Sequence, residues 1–471
     1  MKLKERMEIP RHQAPELEVK ERIANFDEVA KGYDHETAIK ESNRCLTCKK
    51  PGCVKGCPLH NNIPLFISLL RDGKIEEAYW KIRETSSLPA VCSRVCPQEF
   101  QCEGSCIRGK KGDPVAIGLL ERYVVDWMVK NGRDLSTPCA LPKEKRVAII
   151  GSGPAGMTTA FHLAHWGYPC TIFEGLPVLG GMLSVGIPAY RLPRDIIVAE
   201  FQALKGCGVE IVTNTVIGRD KSLADLKKEG FAAIFISVGA HVSRRLGIEG
   251  EDLLGVMHGV DYLRRVNLGG KVILGPKVVV VGGGNVAIDV ARTALRTGSN
   301  QVFILYRRSK EEMPASRAEV HHLEQEGVRV EFLAAPVKII GQKGRVTGVE
   351  CIRMRLGECD SSGRCRPVPV PDSNFLIEAD AVIPAISQKV DSFVMGDLNL
   401  ALTKWSSFLV DPLTLQNTEV PWVFAGGDAV LGPQTAAKAV RQGMVAAESI
   451  RRYLQGEDLK AGRVESDGKK H

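Results

Sequence analysis

The chain has 471 residues, 44% of them hydrophobic and 25% charged, with 63 Lys and Arg against 55 Asp and Glu for a net charge of +8. This suits a globular chain of about three domains, at roughly 100 to 200 residues each. No apolar run approaches the ~18 residues of a membrane span, and the opening MKLKERMEIPRH lacks the apolar core of a secretory signal, so a cytoplasmic location is expected.

No nucleic-acid module stands out, because the excess of Lys and Arg is spread along the chain. It reads as a solubilising surface with a basic tail at Lys469 and Lys470, or as a face for an acidic protein such as a ferredoxin.

Residues 1–140 read as helical and loop-rich, with helix-compatible apolar spacing over 63–70 and 75–82 broken by Pro and Gly. Eight of the 14 cysteines fall here in two runs. One is Cys45-x2-Cys48-x4-Cys53-x3-Cys57-Pro58 and the other Cys92-x3-Cys96-Pro97-x4-Cys102-x3-Cys106. In a reducing compartment such clusters point to metal rather than disulfides. A [4Fe-4S] cluster takes four ligands, and in two-cluster ferredoxins the last cysteine of a run ligates the other cluster. The Cys-Pro steps turn the chain where that crossing requires it. The expected sets are Cys45, Cys48, Cys53 and Cys106 for one cluster and Cys57, Cys96 and Cys102 for most of the other, with Cys92 the remaining thiol in the run. Paired zinc sites are the competing reading, but zinc ordinarily uses two short Cys-x2–4-Cys knuckles. Cys139, Cys170, Cys207, Cys351, Cys359 and Cys365 stand apart and read as isolated buried or surface thiols.

Ser136-Thr137-Pro138 and Leu141-Pro142-Lys143 mark a linker, after which the texture becomes α/β. Val147-Ala148-Ile149-Ile150 is a short apolar run of the kind that makes a buried parallel strand. Gly151-x-Gly153-x-x-Gly156 follows it directly, with Pro154 and Ala155 opening a helix. The first Gly serves the turn, the second lets backbone approach a pyrophosphate, and the third lets helix pack on strand. Glu174, 23 residues after Gly151 and just past the strand at 171–173, can accept from a ribose 2′-hydroxyl and would repel a 2′-phosphate. Near the C-terminus, Val423-Phe424-Ala425-Gly426-Gly427-Asp428 precedes Gln434-Thr435 and a helical stretch. An Asp there can hold a ribityl hydroxyl, with the helix N-terminus facing the flavin's pyrimidine carbonyl. These features select FAD for the first loop.

A second strand–loop–helix begins at 278–281 with Gly282-Gly283-Gly284-Asn285-Val286-Ala287, where Ala287 takes the third glycine's place. After the next strand, at 302–305, an acid is replaced by Tyr306-Arg307-Arg308. Two guanidinium groups at the ribose end favour a 2′-phosphate and hence NADP(H). Between the two loops only Cys170 and Cys207 occur, 37 residues apart, so no reducible dithiol is expected beside the flavin. Electrons should leave through the iron–sulfur clusters. No Ser/His/Asp set emerges, and no catalytic side chain is assigned, because the cofactors carry the chemistry.

Taken in order, the two cysteine runs, the loop at 151–156, Gly180-Gly181-Met182 through Gly186-Ile187-Pro188-Ala189-Tyr190-Arg191-Leu192-Pro193, the loop at 282–287 with Arg307 and Arg308, and Ala425–Asp428 resemble a known family. It is that of the small (beta) subunit of bacterial NADPH-dependent glutamate synthase. The large subunit of the electron-bifurcating NADH-dependent ferredoxin:NADP oxidoreductase and the N-terminal half of dihydropyrimidine dehydrogenase are similar. The resemblance implies a helical domain with two [4Fe-4S] clusters (1–140), then two Rossmann-like domains of disulfide-reductase type. Of these an FAD domain (141–255 and 389–471) is interrupted by an NADP(H) domain (256–388). It implies Glu121, not Cys92, as the eighth cluster ligand, and places Gly181, Met182 and Arg191 near FAD. Ser387 stands where relatives usually have Gly, which puts the detail of a nicotinamide or flavin contact there in doubt. It further implies a heteromeric electron-transfer subunit. Its partner would be an NAD-linked flavin/[2Fe-2S] subunit with ferredoxin, a glutamate synthase large subunit, or a hydrogenase or formate dehydrogenase module. The segment 356–367 leans to the first, in which this chain's FAD would bifurcate electrons.

Overall fold

The computed structural model describes residues 1–360, 363–395, 398 and 400–463. Lys469, Lys470 and two residues of the 356–367 segment lie outside the described residues. No helix among the described residues is long and apolar enough to cross a membrane.

The N-terminal region is a helical cluster around its own core. Helix Ile63–Arg71 starts with Pro in its first turn and buries Ile63, Phe66, Ile67 and Leu70, the stripe that a 3.6-residue repeat aligns. Helix Ile75–Arg83 buries Ile75, Ala78, Tyr79 and Ile82 by the same spacing. Both pack on helix Ile117–Lys130. The expected helices at 63–70 and 75–82 are therefore present, each one residue longer.

The middle and end of the chain build two parallel sheets. The first has five strands in the order 423–425, 231–236, 146–150, 170–173, 210–212. Its edge strand Val423–Ala425 pairs with Phe231–Ile236 although nearly 190 residues separate them, Val423 lying opposite Ile234. The intervening chain forms a second parallel sheet in the order 381–384, 277–281, 301–306, 329–332, and a three-stranded antiparallel sheet of 334–342, 345–359 and 365–378. Chain enters and leaves this inserted part through a two-residue ribbon, where Val242 faces Lys389 and Ser243 faces Gln388.

A buried ionic network joins the parts. Arg191, from the first sheet's region, pairs with Asp289 (2.7 Å) and Glu319 (3.2 Å) of the inserted part. Arg292 and Arg296 share Glu326, which Arg22 of the N-terminal arm also reaches at 3.1 Å.

The expectation of six isolated thiols needs correction. Cys170 and Cys351 are buried free thiols, but Cys139 is bonded to Cys207 and Cys359 to Cys365. Sequence distance hides the first pair, which forms where the linker runs back beside the 154–165 helix, Ala140 N–H donating to His165 O. The second pair faces across one antiparallel hairpin.

Candidate functional site

The two cysteine runs meet backbone to backbone. A Cβ on Gly52 would stand 2.4 Å from Ser105 O, and one on Gly56 would stand 2.5 Å from Gln101 O. The short helix Gly52–Gly56 thus lies on the 101–105 turn. That contact puts Cys53 with Cys106 on one side and Cys57 with Cys102 on the other. On the first side Cys45, Cys48, Cys53 and Cys106 line one cavity, walled by apolar groups including Ile63, Ile67 and Ile117. Four sulfur donors around an apolar void suit a cluster-sized metal group and leave no space for a large organic ligand.

On the second side Glu121 acts electrostatically on Cys57, Cys96 and Cys102. The residue rides on helix Ile117–Lys130, whose start is pressed against the 98–103 turn: a Cβ on Gly118 would stand 2.4 Å from the Gln98 side chain, and Gly118 N–H donates to Glu103. Burial pushes the Glu121 carboxyl up to about 8 and the Cys57 thiol up to about 11. On the first side burial takes the Cys53 thiol to about 12. Such groups stay protonated unless a cation compensates their charge. Cys92 is also close, hydrogen-bonded to the Cys96 thiol, but it sits in the core of the following region.

The first glycine loop has the required shape. Gly151 has φ +97°, and a Cβ there would stand 2.6 Å from Ser237 O, while one on Gly156 would stand 2.0 Å from Gly151 O. Gly153, by contrast, is open, and caps helix Pro154–His165. Glu174 accepts from Ser152 N–H (2.9 Å) and Oγ (2.6 Å) and from Leu176 N–H, which holds the carboxylate at the loop's rim. The Gly180–Met182 segment lies against the same loop: Gly180 N–H donates to Ser152 Oγ, and a Cβ on Gly181 would meet Gly153 Cα at 3.2 Å. Met182 opens the short helix beyond it.

Gly427 completes the enclosure, with φ +67° and a virtual Cβ 2.9 Å from Ala155 Cβ. Asp428 accepts from Gln434 N–H, and burial raises its carboxyl to about 7. Thr435 caps helix Ala436–Gln455 and accepts from Gln101 Nε2 at 3.3 Å. Gln101 precedes Cys102, so the cysteine region and the first loop's helices are in direct contact. A loop open only at Gly153, with a helix N-terminus and a deep carboxylate beside it, fits a flavin dinucleotide.

In the second loop, Gly282 (φ +146°) is closed in by Ala385 O and Gly283 by the Tyr306 ring, while Gly284 is open at the start of helix Asn285–Arg296. Asn285 Oδ1 accepts from Ser316 N–H, Val286 is half-buried and Ala287 fully buried. Arg307 is exposed and Arg308 largely buried, its Nε donating to Cys365 O at 2.8 Å. Desolvation first, then the guanidinium groups of Arg308 and Arg364, hold Arg307 below its usual value. The open glycine, the helix N-terminus and the cations suit a phosphorylated dinucleotide.

Arg191, expected near the flavin, has its guanidinium on Asp289 and Glu319 of the inserted part. Ser387 is exposed just before the two-residue ribbon. Arg364 was missed, because only the hairpin brings it to the arginine pair.

Residues 22–133 match the family model of dihydropyrimidine dehydrogenase domain II, 4Fe-4S cluster, and residues 145–443 that of pyridine nucleotide-disulphide oxidoreductase. The beta subunit of NADP(+)-dependent formate dehydrogenase from Moorella thermoacetica is 46% identical over 428 residues, covering 86% of this chain but only 60% of that one. The small chain of NADPH glutamate synthase from Escherichia coli K12 is 35% identical over 464 residues, covering 95% of this chain and 98% of that one. Mycobacterium tuberculosis FprA in complex with NADPH shares the fold, with a TM-score of 0.58 at 19% identity over 67% of this chain and 85% of that one.

Proposed function

The chain belongs to the pyridine nucleotide-disulphide oxidoreductase family, in the group of the glutamate synthase small chains, and on that premise we propose that it works as an electron-transfer subunit between NADP(H) and a partner protein. When bound, NADP(H) and FAD supply two-electron chemistry and the iron–sulfur clusters supply one-electron relay. The chain's own residues bind, align and insulate these groups.

In this reading Cys45, Cys48, Cys53 and Cys106 hold one [4Fe-4S] cluster, and Cys57, Cys96, Cys102 and Glu121 the other. Gly151, Gly153, Pro154, Ala155, Gly156 and Glu174 cradle the FAD pyrophosphate and ribose, with Gly181, Met182, Arg191, Gly427, Asp428, Gln434 and Thr435 around the rest. Gly282, Gly284, Asn285, Val286 and Ala287 take the NADP(H) pyrophosphate, and Arg307 and Arg308 its 2′-phosphate. Residues 1–140 form the cluster domain and 256–388 the inserted NADP(H) domain. The observation that carries the reading is the Gln101–Thr435 contact, which sets the second cysteine group against the helix that closes the flavin loop.

For the partner, the segment at 356–367 supports a ferredoxin- and NAD-linked flavin/[2Fe-2S] subunit, with bifurcation at this chain's FAD. A second reading has its own support: the 46% identity to a formate dehydrogenase beta subunit favours a dehydrogenase module. Because the chain spans about 60% of that relative's length, this rests on similarity over part of it. Mass spectrometry of the native complex decides between them.

The test of the shared core is anaerobic titration with NADPH, followed by visible and electron paramagnetic resonance spectra. Bleaching of flavin together with new cluster signals, and no response to NADH, is expected. Flavin bleaching with silent clusters would remove the electron-relay role. Glu121→Ala should shift or abolish one cluster signal while Cys92→Ala leaves both, and the reverse result reassigns the eighth ligand.

A further inference from the structure

The longest strands of the inserted part, Arg345–Cys359 and Cys365–Glu378, form a hairpin whose Cys365 end lies against Arg308 of the second loop's arginine pair. Cys359 and Cys365 are directly opposite each other in the register and are bonded. Asp360 Oδ1 accepts from Arg364 N–H at 3.1 Å, and Asp360 N–H donates to Arg364 O at 3.0 Å.

Both backbone polar groups of Cys365 are anchored in the segment that follows strand Gln301–Tyr306. Its carbonyl accepts from Arg308 Nε at 2.8 Å, and its N–H donates to Glu312 Oε1 at 2.8 Å. The Tyr306 hydroxyl donates to Glu312 O, and its ring walls Gly283. A continuous line of contacts therefore runs from the glycine loop through Tyr306 and Glu312 to the hairpin tip. Arg364, the residue before Cys365, is exposed there, and its charge acts on Arg307. Among the described residues none of Arg307, Arg308 and Arg364 has an ion-pair partner, whereas Arg264, Arg292, Arg296 and Arg353 of the inserted part do. Glu312 and Asp360 bring two negative charges against these three positive ones. Grouped, unpaired guanidinium groups at the end of a nucleotide-binding strand are unfavourable alone and favourable around a phosphate dianion.

We propose that Arg364 is a third guanidinium of the 2′-phosphate subsite, held in place by the Cys359–Cys365 bond, so that thiol–disulfide exchange at this bond tunes the affinity for 2′-phosphorylated nucleotides. This rests on the reading of Arg307 and Arg308 as the 2′-phosphate end. Cys359 is exposed and Cys365 partly so, which leaves the bond open to a dithiol reductant. In the exchange the dithiol gives two electrons and two protons, the Cys359–Cys365 bond breaks to two thiols, and the dithiol becomes its own disulfide. Cys365 then loses its covalent tie to Cys359, and the neighbouring Arg364 its preorganisation.

The experiment is calorimetric binding of 2′,5′-ADP and of 5′-AMP to the full chain purified anaerobically with its cofactors. The samples are wild type, wild type treated with dithiothreitol, Arg364→Ser, the double variant Cys359→Ser/Cys365→Ser, and Arg307→Ser/Arg308→Ser. Arg364→Ser should weaken 2′,5′-ADP about tenfold and leave 5′-AMP unchanged. Opening the bond by either route should weaken 2′,5′-ADP about two- to fivefold. Equal loss for both probes, or no loss for 2′,5′-ADP, overturns the assignment of Arg364. The arginine double variant separates the two layers. If it too leaves the ratio of the probes unchanged, the NADP(H) reading of the loop fails. If it collapses the ratio while Arg364→Ser does not, only the hairpin inference fails. Mass spectrometry after alkylation should find Cys359 and Cys365 blocked in protein prepared without reductant, and free thiols there would overturn the exchange.

Discussion

The two glycine-rich loops use one piece of backbone twice and differ in what stands at the end of the next strand. Both follow a buried parallel strand, turn through a glycine of positive φ, leave one glycine open and start a helix. Beyond Cys170–Phe173 stands Glu174, whose carboxylate is held by the loop itself. Beyond Gln301–Tyr306 stand Arg307 and Arg308, with Arg364 beside them. The loop backbone is a general anion cradle, set by sterics and by the helix N-terminus. In the proposed function, selection between nucleotides belongs to the charge one strand away.

The largest effect should come from the third loop position, where the two copies are not equivalent. A Cβ on Gly156 would stand 2.0 Å from Gly151 O, whereas the second loop already carries Ala287, its Cβ 3.4 Å from a Cβ built on Gly282. Gly156→Ala should abolish flavin retention, read as flavin per polypeptide, because backbone must move to admit the methyl. The reciprocal Ala287→Gly should cost only about 1 kcal/mol of stability, from backbone entropy in a helix. A Gly156→Ala protein with full flavin content would show that the first loop can adopt the second loop's spacing.

Next in size is the link between the copies. Arg191 extends from the first loop's region to Asp289 on the second loop's helix and to Glu319. Arg191→Met leaves buried Asp289 without its cation and Glu319 with Arg292 alone, and removing one partner of such a pair costs about 3–5 kcal/mol. A lower denaturant midpoint is expected, and an unchanged one would mean that the two parts dock without this pair.

Arg307→Ser/Arg308→Ser tests the comparison where it is chemical. The Michaelis constant for NADPH should rise about 100-fold, equivalent to about 2.7 kcal/mol, with that for NADH nearly constant. Parallel changes for both cofactors would move nucleotide selection away from the strand end.

Legibility in the sequence follows the range of the interaction. The parallel strands at 147–150, 171–173, 278–281 and 302–305 were readable because burial on both faces makes a continuous apolar run. The 345–359 and 365–378 hairpin was not, because its second strand mixes half-buried with exposed positions over an unusual length and buries none fully. Only its register sets Cys359 against Cys365 and delivers Arg364. The cysteine runs were readable because ligand spacing is local. The approach of Glu121 to the cysteines was not, since it comes from the long-range packing of Gly118 on Gln98. The pairing of Arg191 with Asp289 was not readable, because the two lie about 100 residues apart, across an interface that no local pattern records.

The smallest effect concerns the helices that follow the loops. The second loop's helix buries charges that are paired: Asp289 with Arg191, and Arg292 with Glu319 and Glu326. The first loop's helix instead carries His162, which burial, helped by His165 and Arg83, holds down at about 4, with Nε2 lacking a protein partner. Its folded pKa lies below the ordinary 6.5 of an unfolded chain, so the ring is neutral in the fold and gains a proton on unfolding as pH falls. Stability is then fullest above pH 6.5 and declines between about 6.5 and about 4, by roughly 1–3 kcal/mol for this one group. His241, also held at about 4 by burial and by Arg264, adds a slope of the same sign. His162→Leu should therefore reduce, without abolishing, the difference between urea midpoints measured at pH 7 and pH 5. An undiminished difference would place the acid sensitivity outside the first loop's helix and make the two helices electrostatically alike.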